Sequence, residues 1–298
     1  MRPEEIAADP LLEEGWYYSL ELAPDLWTKG RDHFNVVLTR ELLAGVELAE
    51  DSTALVDIGT QEAMIPVLLR RRGVGSVVAS DRILRKRRIE LVQRALEVDF
   101  ELLGGGSIND LGRRLREAGH EPFDLVVFSG VLYHMLDPFG GIASVRGLVR
   151  DGGLVLVETT TAFTDDVAIH LSLGRFSDHS ICAPSIGALD AMLRAVGLDP
   201  IDAVRLGIQD KGDGLRLSRC AIACRARSDR QLPKGMGAPD LAEYIDWDRV
   251  RSDKPPLDYL PSAGREPLPD EAGAAIAVAD SKAIRTDERS RLALGDAY

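Results

Sequence analysis

Cysteine, long apolar runs and basic charge are all scarce in this sequence, and each scarcity excludes a class of protein. Three cysteines (Cys182, Cys220 and Cys224) in 298 residues cannot form the disulfide framework of a secreted scaffold. Cys220 and Cys224 lie in a strand-like run without a second ligand pair, so no zinc site is expected. No apolar stretch approaches the roughly 20 residues that span a bilayer. The opening MRPEEIAADPLLEEGW is acidic and has no apolar signal core. A reducing cytoplasm and no membrane partner are the expectations. Lys and Arg number 36 against 48 Asp and Glu, a net charge of −12, which argues against a partner held chiefly by neutralising phosphates.

The charge is unevenly spread. The first fifty residues hold 4 basic and 11 acidic side chains, whereas residues 51–150 hold 14 and 13, including the run Arg82, Arg85, Lys86, Arg87 and Arg88. Net charge alone is therefore too blunt to dismiss RNA, and the case against it rests on an acidic arm expected to lie across the site. Aromatic residues are only 5% of the chain, yet Trp16, Tyr17, Tyr18 and Trp27 concentrate in that arm, as a lid over a site or as an anchor on the core.

Apolar residues make up 45% of the chain, enough to bury a large core. From residue 53 short β-branched runs alternate with amphipathic stretches, the pattern of βαβ units. Strands are predicted at Ala54–Gly59, Ser76–Ser80, Phe100–Leu103, Asp124–Phe128 and Leu154–Glu158, with helices between them. The continuous apolar run 124–128 suits a central parallel strand covered on both faces. Residues 160–183 read as an irregular insertion. A helix at Ser185–Val196, a strand at 201–206, a turn at 211–214 and a strand at Leu215–Ala226 complete a doubly wound α/β sheet. The expected organisation is an arm or lid over 1–50, a domain over 51–226 and a proline-rich extension over 227–298 that wraps the domain or joins a second copy.

Ligands of an open parallel sheet bind beyond the carboxyl ends of its strands, where strand order reverses. The residues placed there are Asp57 to Ala63, Asp81 with Arg82, Gly106 to Asp110 and Ser129 to His134. Asp81 follows Gly59 by about the twenty residues at which an acidic group meets a ribose diol. The phosphate fingerprint G-x-G-x-x-G is missing, because Gln61 and Met64 stand where its later glycines would be, and Glu62 lies near the helix start. A cationic nucleoside suits these carboxylates better than a dinucleotide.

Leu55-Val56-Asp57-Ile58-Gly59-Thr60, Ser80-Asp81 and Phe123 to His134 resemble the class I S-adenosylmethionine-dependent methyltransferases over roughly Ala54–Ala226. Gly130-Val131-Leu132-Tyr133-His134, Trp16 to Leu22 and Arg71-Arg72-Gly73 are similar to the branch containing the tRNA wobble-uridine carboxymethyltransferase. The resemblance implies a Rossmann-like doubly wound sheet of seven strands with the last antiparallel. It places Gly59 and Thr60 at the methionine part of the cofactor, Asp81 at the ribose, and Ser107, Ile108 and Asn109 at the adenine. One departure stands out: Gln61-Glu62-Ala63 replaces small residues, and Ala63 lacks glycine's freedom to take positive φ.

Methyl transfer is an in-line displacement that gains much of its rate from positioning. His134 is the candidate base for an acceptor that must lose a proton, and Tyr133 the candidate to orient the acceptor or a cofactor bearing an extra carboxylate. Bland readings compete: Asp57 as a helix cap, Tyr133 and His134 as packed residues. His170, Asp178 and His179 in the insertion could line the acceptor pocket or bind a metal as a loose pair, but no third ligand stands at sensible spacing. The leading expectation is methylation of oxygen or nitrogen on a small molecule in specialised biosynthesis, with S-adenosylhomocysteine as the other product. RNA modification, including transfer from carboxylated S-adenosylmethionine held by Lys29 or Arg31, is the rival. A binding protein with a decayed site is the third reading.

Overall fold

The computed structural model describes residues 1–31, 33–56, 61–171, 180–210, 215–231, 241–261 and 278–280. Its centre is a sheet of eight strands among these residues: β1 (Thr53–Val56), β2 (Ser76–Asp81), β3 (Glu101–Gly104), β4 (Phe123–Ser129), β5 (Val149–Ala162), β6 (Val196–Asp210), β7 (Arg216–Gln231) and β8 (Ala279–Asp280). Their spatial order is β8-β6-β7-β5-β4-β1-β2-β3. Strands β1 to β5 pair in parallel. Strand β7 runs antiparallel to both β5 and β6. Seven strands thus follow the expected plan, and the two-residue β8 adds an eighth, parallel to β6 at Val204 and Arg205.

Both faces of the sheet are covered, and the strands alternate between them with the period of two that a pleated backbone imposes. Ala54, Val56, Leu125, Val127, Leu154 and Leu156 enter one apolar cluster. Leu55, Val126, Phe128, Val155 and Val157 enter the other. The first cluster is closed by helices α1 (Phe34–Leu43), α2 (Met64–Arg71) and α3 (Lys86–Leu96), and by Ile6, Leu11, Trp16 and Leu20 of the N-terminal arm. The second is closed by α4 (Ile108–Glu117), α5 (Pro138–Arg146) and α6 (Ile186–Ala195), and by Leu241, Ile245 and Val250. Residues 241–261 dock on the sheet's flank. Glu47 N–H donates to Asp258 O (3.1 Å), Leu260 N–H to Gly45 O (2.8 Å) and Tyr259 Oη to Asp202 Oδ2 (2.7 Å).

Strand β5 reaches Ala162, and Ile169–Leu171 pairs antiparallel with Cys182–Pro184, so three short pieces of the stretch read as irregular are extended backbone. The periodicity of 160–183 is hidden because its edge pairing buries only one short strand. Strands β5, β6 and β7 all outrun the predicted spans, since ladder hydrogen bonds to neighbours continue where apolar patterning stops. Among the described residues no helix is long and apolar enough to cross a membrane.

Candidate functional site

Strand order reverses between β1 and β4, and a pocket of about 510 Å³ opens beyond their carboxyl ends. Asp81, Arg82, Ser107, Ile108, Asn109, Ser129, Tyr133 and His134, separated by as many as 53 positions in sequence, all line it. Asp57, Gly59 and Thr60 lie outside the described residues, as do Asp178 and His179 of the insertion. His170 is in the edge pairing with Ala183 and does not line the pocket. Among the described residues no cluster of three metal-ligating side chains occurs.

Asp81 ends β2, 8% exposed, and its two carboxylate oxygens accept from Gln61 N–H (3.1 Å) and Ile83 N–H (2.8 Å). Burial raises its pKa, against the pull of those two amides and of Arg85. A ligand hydroxyl donating to this carboxylate replaces hydration lost on burial. The loop after β3 is tied to the same place: Gly105 N–H donates to Asp81 O (3.0 Å), with φ of 78° that glycine takes without strain. Ser107 precedes α4 and turns its hydroxyl to Asp110 (3.4 Å), while Asn109 Oδ1 accepts from Ser144 (3.2 Å), which fixes the rim near which adenine is expected.

Ala63 stands at the N-terminal cap of α2, with φ 68°, ψ 32°, and Gln61 has φ 48°. The turn keeps a left-handed course without glycine and accepts the strain, about 1–2 kcal/mol for each such residue. That course aims Gln61 N–H at Asp81. Gln61→Gly is expected to raise stability by about 1 kcal/mol, since among the described residues the side chain's hydrogen-bond partner is the exposed Arg85 (2.9 Å). Denaturant unfolding measures it, and a variant no more stable than the parent would show that the turn is unstrained.

Glu62 does not face the pocket. It is fully buried and accepts from Tyr17 N–H (3.1 Å), Tyr18 N–H (3.4 Å) and Arg88 Nη1 (3.1 Å). The arm is thereby latched to α3, and Arg88 and Arg85 of the basic run are drawn into ion pairs rather than left wholly in solvent. The aromatic group divides its work. Trp16 is an anchor, 7% exposed, its Nε1–H donating to Leu11 O (2.8 Å). Tyr17 and Tyr18 are a wall of the pocket.

Around the arm's wall, Tyr17, Tyr18, Tyr133 and His134, all named from the sequence, meet His33, Asn35, Glu158 and Arg219, which the sequence reading left out. Tyr17 stacks on His33 with ring centroids 3.5 Å apart and meets Tyr18 edge-on at 4.9 Å. Burial, with Tyr133 nearby, pushes the Tyr17 phenol up to about 12. Burial, with Arg31 beside it, brings His33 down to about 4, so the stack is neutral at pH 7. Tyr133 and His134 sit on a single 3₁₀ turn after Gly130, their rings 4.0 Å apart, Tyr133 half-buried and His134 exposed at the mouth. Behind them Arg219 of β7 lies 4.7 Å over the Tyr133 ring and forks onto Glu158 through two 2.6 Å bonds. Burial works against the guanidinium's charge, but Glu158 holds its pKa above the ordinary value. Lys29 pairs instead with Glu13, and neither it nor Arg31 lines the pocket. Ser129 turns its hydroxyl toward α1, to Thr39 (2.9 Å) and Asn35 O (3.4 Å).

A parallel sheet with β7 reversed, and a nucleoside-sized pocket at the switch point carrying a buried acidic residue at the end of β2, define a class I S-adenosylmethionine-dependent methyltransferase. The model of the methyltransferase domain family matches residues 31–203, more than half of the chain, and the protein belongs to that family. The cofactor is S-adenosylmethionine. Among curated proteins, the tRNA U34 carboxymethyltransferase of Trichlorobacter lovleyi is 28% identical over 130 residues, 41% of this chain and 40% of that protein. The one from a Psychrobacter species is 28% identical over 94 residues, 31% of this chain and 27% of that protein. The chain thus spans well under half the length of either relative. The N-terminal domain of EvdMO1, solved in the presence of SAH and D-fucose, shares the fold with a TM-score of 0.55 at 18% identity, over 75% of this chain and 96% of that one.

Proposed function

We propose that the protein methylates oxygen or nitrogen of a compact small molecule, in a specialised biosynthetic pathway. The observation that carries this reading is the wall formed by Tyr17, Tyr18 and Asn35, which the arm brings against Tyr133 and His134 to bound one pocket. An aromatic wall backed by the neutral Tyr17–His33 stack holds a small ring or chain and excludes water from it, both of which favour displacement at a methyl group. The sugar present in the EvdMO1 domain crystals is of that size class.

When bound, S-adenosylmethionine supplies a methyl group activated by its sulfonium. Asp81 accepts from the ribose hydroxyls, Ser107, Ile108 and Asn109 border the adenine, and Tyr17 and Tyr133 orient the acceptor. His134 Nδ1 or Nε2 takes the proton that the acceptor's O–H or N–H releases. The neutral Arg219–Glu158 pair argues for the ordinary cofactor, because a second carboxylate would have to compete with Glu158 for the buried cation beside Tyr133.

Transfer to tRNA, including from carboxylated S-adenosylmethionine, is the second reading. The names of the curated relatives fit it, as do the exposed Arg82, Lys86 and Arg87 beside the pocket. Supplying S-adenosylmethionine with a labelled methyl group to fractionated cell extract separates the two. Label in the small-molecule fraction is expected; label in tRNA, or thermal stabilisation by the carboxylated cofactor alone, rejects the small-molecule reading. His134→Ala is expected to lower label transfer about 100-fold with the dissociation constant for S-adenosylhomocysteine unchanged. Asp81→Ala should do the reverse, weakening that affinity first. Full transfer by the histidine variant would remove His134 from the chemistry.

A further inference from the structure

One polar atom of a residue that lines the pocket is left unanswered by the fold. Asn35, the second residue of α1, is 8% exposed, and its Oδ1 is buried without a hydrogen-bond partner. The rest of its amide is held: Nδ2 donates to Tyr18 Oη at 3.2 Å, and a Cβ placed on Gly130 would come within 3.1 Å of that nitrogen. The side chain is therefore clamped between the arm and the end of β4, with its carbonyl unsatisfied. A buried carbonyl without a donor costs the fold the free energy of a lost hydrogen bond, and such an atom beside a ligand pocket points to a donor on the ligand.

Position and chemistry select which donor. Asp81 stands at the end of β2 and Gly130 just past the end of β4, two strand spacings apart, about 10 Å. A cofactor whose ribose is held at Asp81 reaches across β1 toward β4 with its amino-acid portion. That portion carries an ammonium, a group with three donors and no acceptor. Of the described carboxylates nearby, Glu62 is committed to Arg88 and the arm amides and Glu158 to Arg219, and Asp137 on the pocket's exposed rim caps α5 by accepting from Gly140 N–H (2.9 Å). We infer that Asn35 Oδ1 accepts a hydrogen bond from the α-ammonium of S-adenosylmethionine, so that the N-terminal arm supplies a cofactor contact as well as a wall for the acceptor. The inference rests on the reading that places the ribose at Asp81.

Calorimetric titration of the full chain with S-adenosylhomocysteine and with 5′-methylthioadenosine, the same nucleoside without the amino acid, tests it. Asn35→Leu is expected to weaken S-adenosylhomocysteine binding tenfold or more, while 5′-methylthioadenosine binds within twofold of the parent. Asn35→Asp, which keeps an acceptor oxygen and can still receive the Tyr18 hydroxyl, should retain S-adenosylhomocysteine affinity. An unchanged affinity in Asn35→Leu overturns the inference, as does an equal loss for both ligands, which would mark a merely structural role. Loss in Asn35→Asp as large as in Asn35→Leu also overturns it, because the amide would then be presenting its NH₂ to the ligand. Failure of the unsubstituted protein to bind either nucleoside would instead overturn the proposed cofactor site itself, and the inference with it.

Discussion

Arg219→Met is expected to lower folding stability by about 3–5 kcal/mol, read as a fall in the midpoint of urea unfolding at unchanged slope. Glu158 is 1% exposed and sits in the middle of the ladder between β4, β5 and β7, opposite Ala221 and Ser129. Its two carboxylate oxygens are matched by the fork of Arg219 at 2.6 Å each, a bidentate geometry that lysine could not reproduce. Remove the guanidinium and the carboxylate must either stay charged without a partner or take up a proton, and each course costs free energy. A domain stabilised by about 5–15 kcal/mol has little reserve against such a loss. The double variant with Glu158→Gln in addition should recover much of the stability, since a neutral amide no longer needs a cation. Loss below 1 kcal/mol in the single variant would mean that solvent reaches Glu158 and that the pair is not the rigid back wall behind Tyr133.

A loss of about 3 kcal/mol is expected for Glu62→Gln, together with faster proteolytic cutting before residue 31. The substitution keeps one acceptor for the amide of Tyr17 but removes the charge that Arg88 meets at 3.1 Å, and it turns an NH₂ group toward a donor. Arg88 keeps Glu14 at 2.9 Å, an exposed partner of smaller worth, so the loss stays below that of a fully orphaned charge. Because the arm supplies Tyr17, Tyr18 and Asn35 to the pocket, S-adenosylhomocysteine affinity should fall with arm attachment. An arm that remains protease-resistant in Glu62→Gln would show that Trp16 and the apolar residues Ile6, Leu11 and Leu20 hold it without the latch.

The elements legible in the sequence are those whose environment is uniform. Strand β4 reads as a continuous apolar run because it is buried on both faces over all seven residues. Topology puts Asp81 and Ser107–Asn109 beyond the strand ends, since a strand end in a parallel sheet has one address, and all four residues line the pocket there. The sequence presents Glu62 as a charge near a helix start that disfavours a pyrophosphate there, and Ala63 as a residue without glycine's freedom to take positive φ. In the structure Ala63 takes that φ, and Glu62 binds an arm whose sequence lies 44 residues and more away. Pairings of that separation leave no local periodicity to read. Lys29 was a candidate for an anionic ligand on charge alone, but its charge goes to Glu13, sixteen positions earlier.

Composition and patterning by themselves determined the layered sheet and the end of it beyond which the pocket opens. These follow from local propensity and from burial alternating along each strand, which a single chain carries in its order. The tertiary structure alone decided what encloses the pocket. Tyr17, Tyr18, Asn35 and Arg219 come from the first helix, the arm before it and the seventh strand, brought together only when the sheet closes. The same holds for the carbonyl of Asn35, an ordinary asparagine in the sequence. Only when neighbours clamp its amide and bury its oxygen does it become a group that a ligand must satisfy.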